Sequence, residues 1–199
     1  MILLDGLRAD RVHHCPSLLG ILKSGYFFPN MVTSAPYTLA SLHSIFSGLY
    51  PTKNGVNSYF NMFRFKKEIC KTLTQYIHDD GYHTMLNIVD DATIPTQGFD
   101  IVSVHDEYKD NLTKIHKDMI SGIANKKNSF LFMQYSNIHT EIIKNVAKKY
   151  TDFDQEYFKN FDRNKENYNI YLKNMDIYVK EIFDHIKNLG LLKNTILVI

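Results

Sequence analysis

Short apolar runs alternate with longer amphipathic stretches along this chain, and this alternation constrains its fold more than any other feature. Three short runs predict β-strands, at residues 3–4, 83–89 and 129–135. Stretches with apolar residues three or four positions apart predict helices at residues 17–23, 38–46, 72–78, 111–124 and 168–189. Strands that alternate with helices form parallel sheets covered by helices. The sequence therefore predicts an α/β fold with a mostly parallel sheet flanked by helices.

The remaining segments are assigned from their composition. Residues 26–31 are predicted to be extended after Gly25 ends the first helix, and Gly190 is expected to end the last helix. Residues 141–169 are polar and rich in Lys and Tyr, which favours helices and loops on the surface. The final apolar run, at residues 195–199, predicts another strand.

Both ends of the chain are apolar runs of the kind buried in a parallel sheet. Domains usually begin and end in surface segments that tolerate fraying. We therefore expect residues 1–199 to be the front portion of a larger α/β domain, apparently truncated at a sheet strand.

Composition excludes several classes of protein. The 199 residues are 44% hydrophobic and 22% charged, which is close to the globular average and rules out a disordered chain. A net charge of +2 gives no electrostatic footprint for nucleic acid. Cys15 and Cys70 are far apart and lack the spacing of metal ligands, which excludes a zinc finger and a disulfide-stabilised scaffold. We identify no signal peptide and no membrane-spanning run, so the chain as given is expected to be soluble and cytoplasmic, although a missing N-terminus could carry a signal or an anchor.

Asp5 is the first candidate functional residue, because it directly follows the first predicted strand. Ligands of open α/β sheets bind at the carboxyl ends of the strands. A carboxylate leaving a buried strand is costly unless it is paired or bound to a metal. Asp5 therefore either serves a metal or catalytic site, or pairs with Arg8 or caps the next turn.

Thr38 is the second candidate, because it lies where a loop enters a predicted helix. The free amides and the positive end of the helix dipole at that point favour an anion such as a phosphate or sulfate ester. A hydroxyl there is a nucleophile if a base or a metal removes its proton. The alternative is an ordinary N-cap threonine, with Ser41 in a local side-chain bond.

Histidines supply the third candidate. His139 follows the strand at residues 129–135, where it either contacts an anionic substrate or is a hydrogen-bonded loop residue. His43 lies on a predicted helix and is compatible with either role. The other histidines show no ligand spacing and are predicted to lie on the surface: His13, His14, His78, His83, His105, His116 and His185.

Seven segments in sequence order resemble the N-terminal part of the sulfatase family, within the alkaline phosphatase superfamily. Residues 3–10 (LLDGLRAD) resemble the opening strand with its metal-binding aspartate, and residues 38–51 resemble the nucleophile helix and its S-x-x-T-G-x-Y-P ending. The other matching segments are 15–31, 81–84 (GYHT), 98–100 (GFD), 129–139 and 175–199. The resemblance covers essentially the whole chain and implies an alkaline phosphatase-like three-layer fold.

The resemblance also implies roles for single residues. It implies that Asp5 binds a divalent metal ion (Ca, Mg, Mn or Zn), and that Thr38 is the nucleophile and touches the metal. It implies that His139 contacts the oxyanion of an anionic ester, whose alcohol is a glycan or a lipid headgroup. Together these roles describe a metal-dependent hydrolase or transferase of sulfate or phosphate esters that acts through a covalent threonine intermediate.

Departures from the family pattern change the expected chemistry. Sulfatases carry Cys or Ser followed by x-P-S-R at the nucleophile position, but this chain reads TLASL at residues 38–42. The family's G-K-W-H segment corresponds to residues 87–91 (NIVDD), and its second aspartate is replaced by Gly6. A threonine nucleophile is typical of the superfamily's phosphodiesterases and phosphoalkyl transferases. Phosphoryl transfer is therefore an alternative to sulfate ester hydrolysis.

The chain also ends before the family's S-D-H-G segment, whose Asp and His complete the metal site. With Asp5 and Thr38 as the implied ligands, we expect weak metal binding and little turnover from residues 1–199. The rival hypothesis is a non-catalytic remnant or binding module of the same fold.

Overall fold

The computed structural model describes residues 1–147, 149 and 155–199. The strands are Ile2–Leu4 (β1), His83–Ile88 (β2), Ile101–Val104 (β3) and Ser129–Tyr135 (β4). The α-helices are Pro16–Leu22 (α1), Thr38–Ser47 (α2), Pro51–Asn54 (α3), Leu73–Asp79 (α4), Leu112–Ile123 (α5), Asn137–Ile142 (α6), Gln155–Lys159 (α7) and Phe161–Asn188 (α8). Tighter 3₁₀ turns are Ala9–His14, Tyr59–Arg64, Asp91–Thr93 and Leu192–Asn194, and Ile143–Ala147 is a π-helical turn.

The strands form one sheet in the order β1-β4-β2-β3. β2 pairs in parallel with both of its neighbours, so that Leu86 lies opposite Val102 of β3 and Phe132 of β4. Parallel neighbours need long crossover connections. Residues 89–100, which include the 3₁₀ turn Asp91–Thr93, connect β2 to β3, and α5 lies between β3 and β4. The predicted α/β class, with a parallel sheet flanked by helices, is confirmed.

The chain divides into two compact units. The first unit comprises Met1, Asn30–His105 and Gly122–Met133. The second unit comprises Ile2–Pro29, Asp106–Ser121 and Gln134–Ile199. Each unit has its own packed interior.

In the first unit, aromatic rings pack around α2. The ring of Phe46 meets that of Phe132 edge-on, with centroids 5.4 Å apart, and also contacts Phe99 and Phe130. Another helix of this unit, α4, begins at a capping box, in which the Thr72 hydroxyl accepts the backbone N–H of Gln75 and the Gln75 side chain accepts the N–H of Thr72. These contacts position α2 against the sheet residues of its own unit.

In the second unit, α8 supplies the central side chains. Tyr178 is buried, its ring lies 4.4 Å from that of Tyr135, and its hydroxyl is 2.7 Å from Nδ1 of His116. Asp176 accepts the backbone N–H groups of Ser17 and Leu18 at 3.0 and 2.9 Å. A buried carboxylate thus caps α1, whose N-terminal dipole favours negative charge.

Most predicted elements are present, and their ends differ by a few residues. Pro16 occupies the first turn of α1, as the sequence predicts, but the helix ends at Leu22 before Gly25. Gly190, with φ +71°, follows the end of α8 as predicted. That helix begins at Phe161, seven positions before the predicted start at residue 168. Residues 148 and 150–154 of the predicted surface stretch lie outside the described residues.

Two predictions about extended segments are wrong, and one strand of the sheet was not predicted. Residues 26–31 form irregular structure and a turn. Residues 195–199 form no strand, although the N–H of Ile2 donates to the carbonyl of Val198 at 2.8 Å, because a strand needs a repeated ladder of such bonds. β3 was not predicted, because Ile101–Val104 is a short edge strand whose apolar side chains are largely exposed.

The predicted surface positions of two histidines are also wrong. His105 and His116 are buried, with exposed fractions of 2% and 0%. Each has a polar partner within its own unit, Asn87 for His105 and Tyr178 for His116. Such partners offset the cost of removing an imidazole from water. Within the described part of the chain, no helix combines the length and the apolarity needed to cross a membrane.

Candidate functional site

The start of α2 places the amides of a helix N-terminus beside a hydroxyl group. Tyr37 is the N-cap, with an extended backbone (φ −145°, ψ 151°), and its carbonyl accepts the N–H of Ser41 at 3.2 Å. Thr38 is therefore the first helical residue, and the hypothesis that it is an ordinary N-cap threonine is wrong. The first turn contains no carboxylate. Since first-turn amides have no partner inside their helix, an anion can bind beside the half-buried Thr38.

Local hydrogen bonds hold the segment that leads into α2. The hydroxyl of Ser41 donates to the carbonyl of Ala35 at 2.9 Å, and the hydroxyl of Thr33 donates to the same carbonyl at 2.8 Å. The two hydroxyl oxygens are 2.9 Å apart. The predicted local side-chain bond of Ser41 is thus confirmed, and it ties the loop to the first turn of the helix.

The inner face of α2 is apolar apart from His43 and Ser44. Nδ1 of His43 donates to the carbonyl of Leu39 at 2.9 Å, and the ring also bonds to the Thr93 carbonyl. Burial lowers the pKa of His43, and these hydrogen bonds partly offset that effect. Leu42, which the sequence resemblance aligns with the family's arginine, is 1% exposed. His43 is therefore a core residue, and Leu42 offers no cation to an anionic ester.

In the second unit, Asp5 is held by the end of β4. Its backbone N–H donates to the carbonyl of Tyr135 at 3.0 Å, and the amide of Gln134 donates to its carboxylate oxygen Oδ2 at 2.8 Å. Gln134 is itself buried. The guanidinium of Arg8 forms an ion pair of 2.9 Å with Asp10. The alternative that Arg8 pairs with Asp5 is therefore wrong.

The turn after Asp5 packs against the helix that carries His139. Gly6 has φ +86°, and a Cβ atom there would lie 3.1 Å from the backbone nitrogen of His139. The hydroxyl of Tyr168 donates to the carbonyl of Gly6 and accepts the N–H of Arg8, both at 2.9 Å. His139 lies on α6 with an exposed side chain, rather than in a loop. The structure thus brings the Asp5 turn and the backbone of His139 together in one unit.

These residues do not complete a metal centre. Among the described residues, no group of three or more His, Cys, Asp or Glu side chains could hold a metal ion. Divalent cations in proteins take four to eight ligands, several of them usually from the protein. In its own unit, Asp5 supplies one carboxylate, and one of its oxygens already accepts a hydrogen bond from Gln134. The donor set present therefore does not fit a closed metal site.

Sequence reasoning missed a buried polar cluster at the carboxyl ends of β2 and β3. Nδ1 of His105 donates to Oδ1 of Asn87 at 2.8 Å, and Nδ2 of Asn87 donates to the hydroxyl of Ser103 at 3.0 Å. The polar Asn87 inside an apolar run is the sequence feature that indicates this cluster. Gln134, within the strongest predicted strand, was a similar signal for the partner of Asp5.

The chain is similar to sulfatases in sequence and in fold. It matches the family model described as Sulfatase over residues 6–199. It is also similar to a crystal structure described as the "putative sulfatase yidJ" from Bacteroides fragilis, with a TM-score of 0.71 and 16% sequence identity. That match covers 98% of this chain and 59% of the other, so this chain spans 59% of that protein's length. No curated protein matches the chain.

Proposed function

Because this chain belongs to the sulfatase family, we propose that it acts on sulfate or phosphate esters with Thr38 as the nucleophile. The observation that carries the proposal is the position of Thr38 at the first residue of α2. A nucleophilic hydroxyl and the amides of the first helical turn are adjacent there. The amides favour the negative charge that the transferred group carries.

The proposed reaction has two displacement steps. In the first, Oγ1 of Thr38 attacks the phosphorus or sulfur atom, the bond to the alcohol oxygen breaks, and the alcohol leaves with a proton. In the second, water or another alcohol attacks the same atom, the bond to Oγ1 breaks, and Thr38 regains its proton. Splitting the transfer in this way is the general logic of covalent catalysis.

Phosphate is the transferred group that the residues around Thr38 favour. A threonine replaces the Cys or Ser that sulfatases carry, and the buried Leu42 replaces their arginine. In the same proposal, Asp5 contributes to metal binding and His139 contacts the oxyanion from its exposed position on α6. Both roles come from the family resemblance.

Members of the sulfatase family generally use a divalent metal ion. Such an ion would lower the pKa of a bound hydroxyl. Since the described residues do not complete a metal centre, we expect residues 1–199 to bind Mg²⁺, Ca²⁺, Mn²⁺ or Zn²⁺ more weakly than micromolar affinity. Calorimetric titration of each metal measures this, and micromolar binding would contradict it.

The nucleophile is tested by assaying Thr38→Ala and Thr38→Ser in the full-length protein against an aryl sulfate, a phosphomonoester and a phosphodiester. Thr38→Ala is expected to lose activity by roughly a thousandfold or more, as nucleophile variants do, while Thr38→Ser keeps part of it. Thr113→Ala is a matched control, since Thr113 also lies in the first turn of a helix, α5. Mass spectrometry of acid-quenched protein is expected to find the covalent group on Thr38.

Two outcomes would decide against this proposal. Unchanged turnover by a folded Thr38→Ala variant would exclude Thr38 as the nucleophile. A folded wild-type protein that binds these esters without turning over any of them would instead support the rival function, a binding module of the sulfatase fold.

A further inference from the structure

Residues 59–69, the 59–69 segment, follow α3 and leave large apolar side chains in water. Phe60 and Phe63 are 96% and 86% exposed, and Ile69 is 76% exposed. Single exposed apolar residues are normal on a protein surface, but a group of them marks a contact surface. All three lie within nine positions of one another and in the first unit. The segment therefore has the apolar content of an interaction surface.

The 59–69 segment is anchored to the interior of its unit. The half-buried ring of Phe65 meets the ring of His43 edge-on, with centroids 5.1 Å apart. The N–H of Lys66 donates to the carbonyl of Asn54 at 3.0 Å, and the buried Cys70 donates its N–H to the carbonyl of Lys66 at 2.9 Å. Because these contacts fix the segment on the core, the apolar side chains that are not packed there stay at the surface.

Basic side chains lie beside the exposed aromatic ones. Arg64, Lys66 and Lys67 are exposed, and the ion pairs of the described residues involve none of the three. Against the carboxylate of Glu68, these cations leave the segment a net charge of +2, which equals the net charge of the whole chain. The rest of the chain is therefore neutral in sum, and the segment is a local basic surface.

We propose that the 59–69 segment docks the protein on the surface of an anionic lipid bilayer. Apolar side chains enter the boundary between headgroups and acyl chains, while lysine and arginine stay at the charged surface. A nucleic acid fits less well, because its many phosphates call for a larger basic surface and its bases offer stacking but no place for an isoleucine. The inference goes beyond the proposed function and does not depend on Thr38.

Co-sedimentation with lipid vesicles tests the docking. The protein is expected to bind vesicles of phosphatidylcholine with about one quarter phosphatidylserine. It is expected to bind vesicles of phosphatidylcholine alone about tenfold or more weakly, since each cation near an anionic surface contributes about fivefold, equivalent to about 1 kcal/mol. Raising the salt to about 0.5 M NaCl should weaken the first interaction, because salt screens exposed charges. Equal binding to both vesicles, or binding to neither, would overturn the proposal.

The aromatic contribution is measured with the double variant Phe60→Ser and Phe63→Ser. It is expected to bind the anionic vesicles at least about tenfold more weakly, because two apolar side chains no longer enter the bilayer. Phe158→Ser is the matched control, since Phe158 is 68% exposed on α7 of the second unit. An equal loss in the control and the double variant would overturn the assignment to the 59–69 segment.

The basic contribution is measured with Lys66→Gln and Lys67→Gln combined. This variant is expected to lose roughly tenfold in affinity for the anionic vesicles and nothing for phosphatidylcholine alone. Lys126→Gln with Lys127→Gln is the control, since these are adjacent exposed lysines of the same unit outside the segment. If the control pair weakens binding as much, net charge rather than the segment determines it, and the proposal is wrong.

Insertion itself has a direct optical readout, because the chain contains no tryptophan. Phe63→Trp supplies a single fluorophore in the segment, and its emission is expected to shift to shorter wavelength when anionic vesicles are added. Phe158→Trp is expected to show no shift. Emission from Phe63→Trp that does not change on vesicle binding would show that the segment stays in water, which would overturn the proposal.

Two other occupants are outcomes of the same experiments. A dimer in analytical ultracentrifugation that the double variant Phe60→Ser and Phe63→Ser abolishes, without vesicle binding by the wild type, would identify a second copy of the chain as the occupant. Tighter binding to single-stranded RNA than to anionic vesicles would identify a nucleic acid. Either result would overturn the docking on a bilayer.

Discussion

The start of α2 and the turn after β1 each carry a candidate site residue, but they are held in opposite ways. The start of α2 is tied by Thr33, Ala35 and Ser41, all within eight positions of one another. The turn after β1 is tied by Gln134 and Tyr168, which are 129 and 162 positions away from their partners. The hydrogen bonds described at the start of α2 lie within its own sequence, whereas those at the turn after β1 form only when distant segments of the second unit have folded.

This difference predicts which substitutions are costly. Local hydrogen bonds close small loops, whereas long-range bonds close large ones and form together with the core. Removing a long-range contact at the turn should therefore lower the free energy of unfolding more than removing a local contact at α2. Four measurements test that ranking.

The largest effect is expected for Gly6→Ala. Gly6 combines a positive φ with a close approach to His139, so alanine adds backbone strain and a contact of 3.1 Å to a backbone nitrogen. We expect a loss of about 2–3 kcal/mol in urea unfolding. Gly48→Ala, at the end of α2, is the matched control, since its φ is +66° with open space around a Cβ, and about 1 kcal/mol is expected. Equal losses would show that the approach of His139 adds nothing.

Tyr168→Phe should have the next largest effect. It removes a hydroxyl that both donates to Gly6 and accepts from Arg8, and we expect a loss of about 1–2 kcal/mol. Tyr171→Phe on the same helix is the control, because its hydroxyl accepts an exposed bond from Asn145. Thermal unfolding of the two variants should separate them, and a larger loss for Tyr171→Phe would contradict the role of the turn.

Ser41→Ala tests the local side of the comparison. It removes the hydrogen bond from the Ser41 hydroxyl to the Ala35 carbonyl, but that carbonyl still accepts a hydrogen bond from the Thr33 hydroxyl. The expected loss is about 0.5–1 kcal/mol, since the acceptor stays satisfied. Denaturant unfolding beside Tyr168→Phe gives the ranking directly. If Ser41→Ala lowers the free energy of unfolding more than Tyr168→Phe does, the proposed ranking of local and long-range hydrogen bonds is wrong.

Substitution of His43 is expected to change the free energy of unfolding least near neutral pH and more at acid pH. Burial lowers its folded-state pKa below the ordinary value of 6.5, so the unfolded chain takes up the proton first. The stability that it contributes is thus present above about pH 6.5 and is lost as the pH falls. His43→Asn keeps a donor for the Leu39 carbonyl and removes the titration. The free energy of unfolding, measured at neutral and acid pH, should depend less on pH in this variant than in the wild type. Identical pH profiles would contradict the assigned role of His43.

Much of the fold and part of the site follow from the sequence. Apolar spacing places α2, α4, α5 and β4 within a few residues, because a helix or a buried strand repeats its pattern locally. The location of Thr38 at a helix start follows for the same reason. The strand β3 and the start of α8 at Phe161 could not be predicted, because exposed edge strands and polar helix turns leave only a weak apolar pattern.

The sequence by itself determined the α/β class, the longer helices, three of the four strands, and the candidates Asp5, Thr38 and His139. Only the tertiary structure decided that Gln134 and Tyr168 hold the turn after β1, that His139 is carried by α6, and that His105 and His116 are buried. Periodicity and capping act over a few residues and can be read along the chain. Hydrogen-bond partners more than a hundred positions apart are chosen by the folded core, which no local pattern encodes.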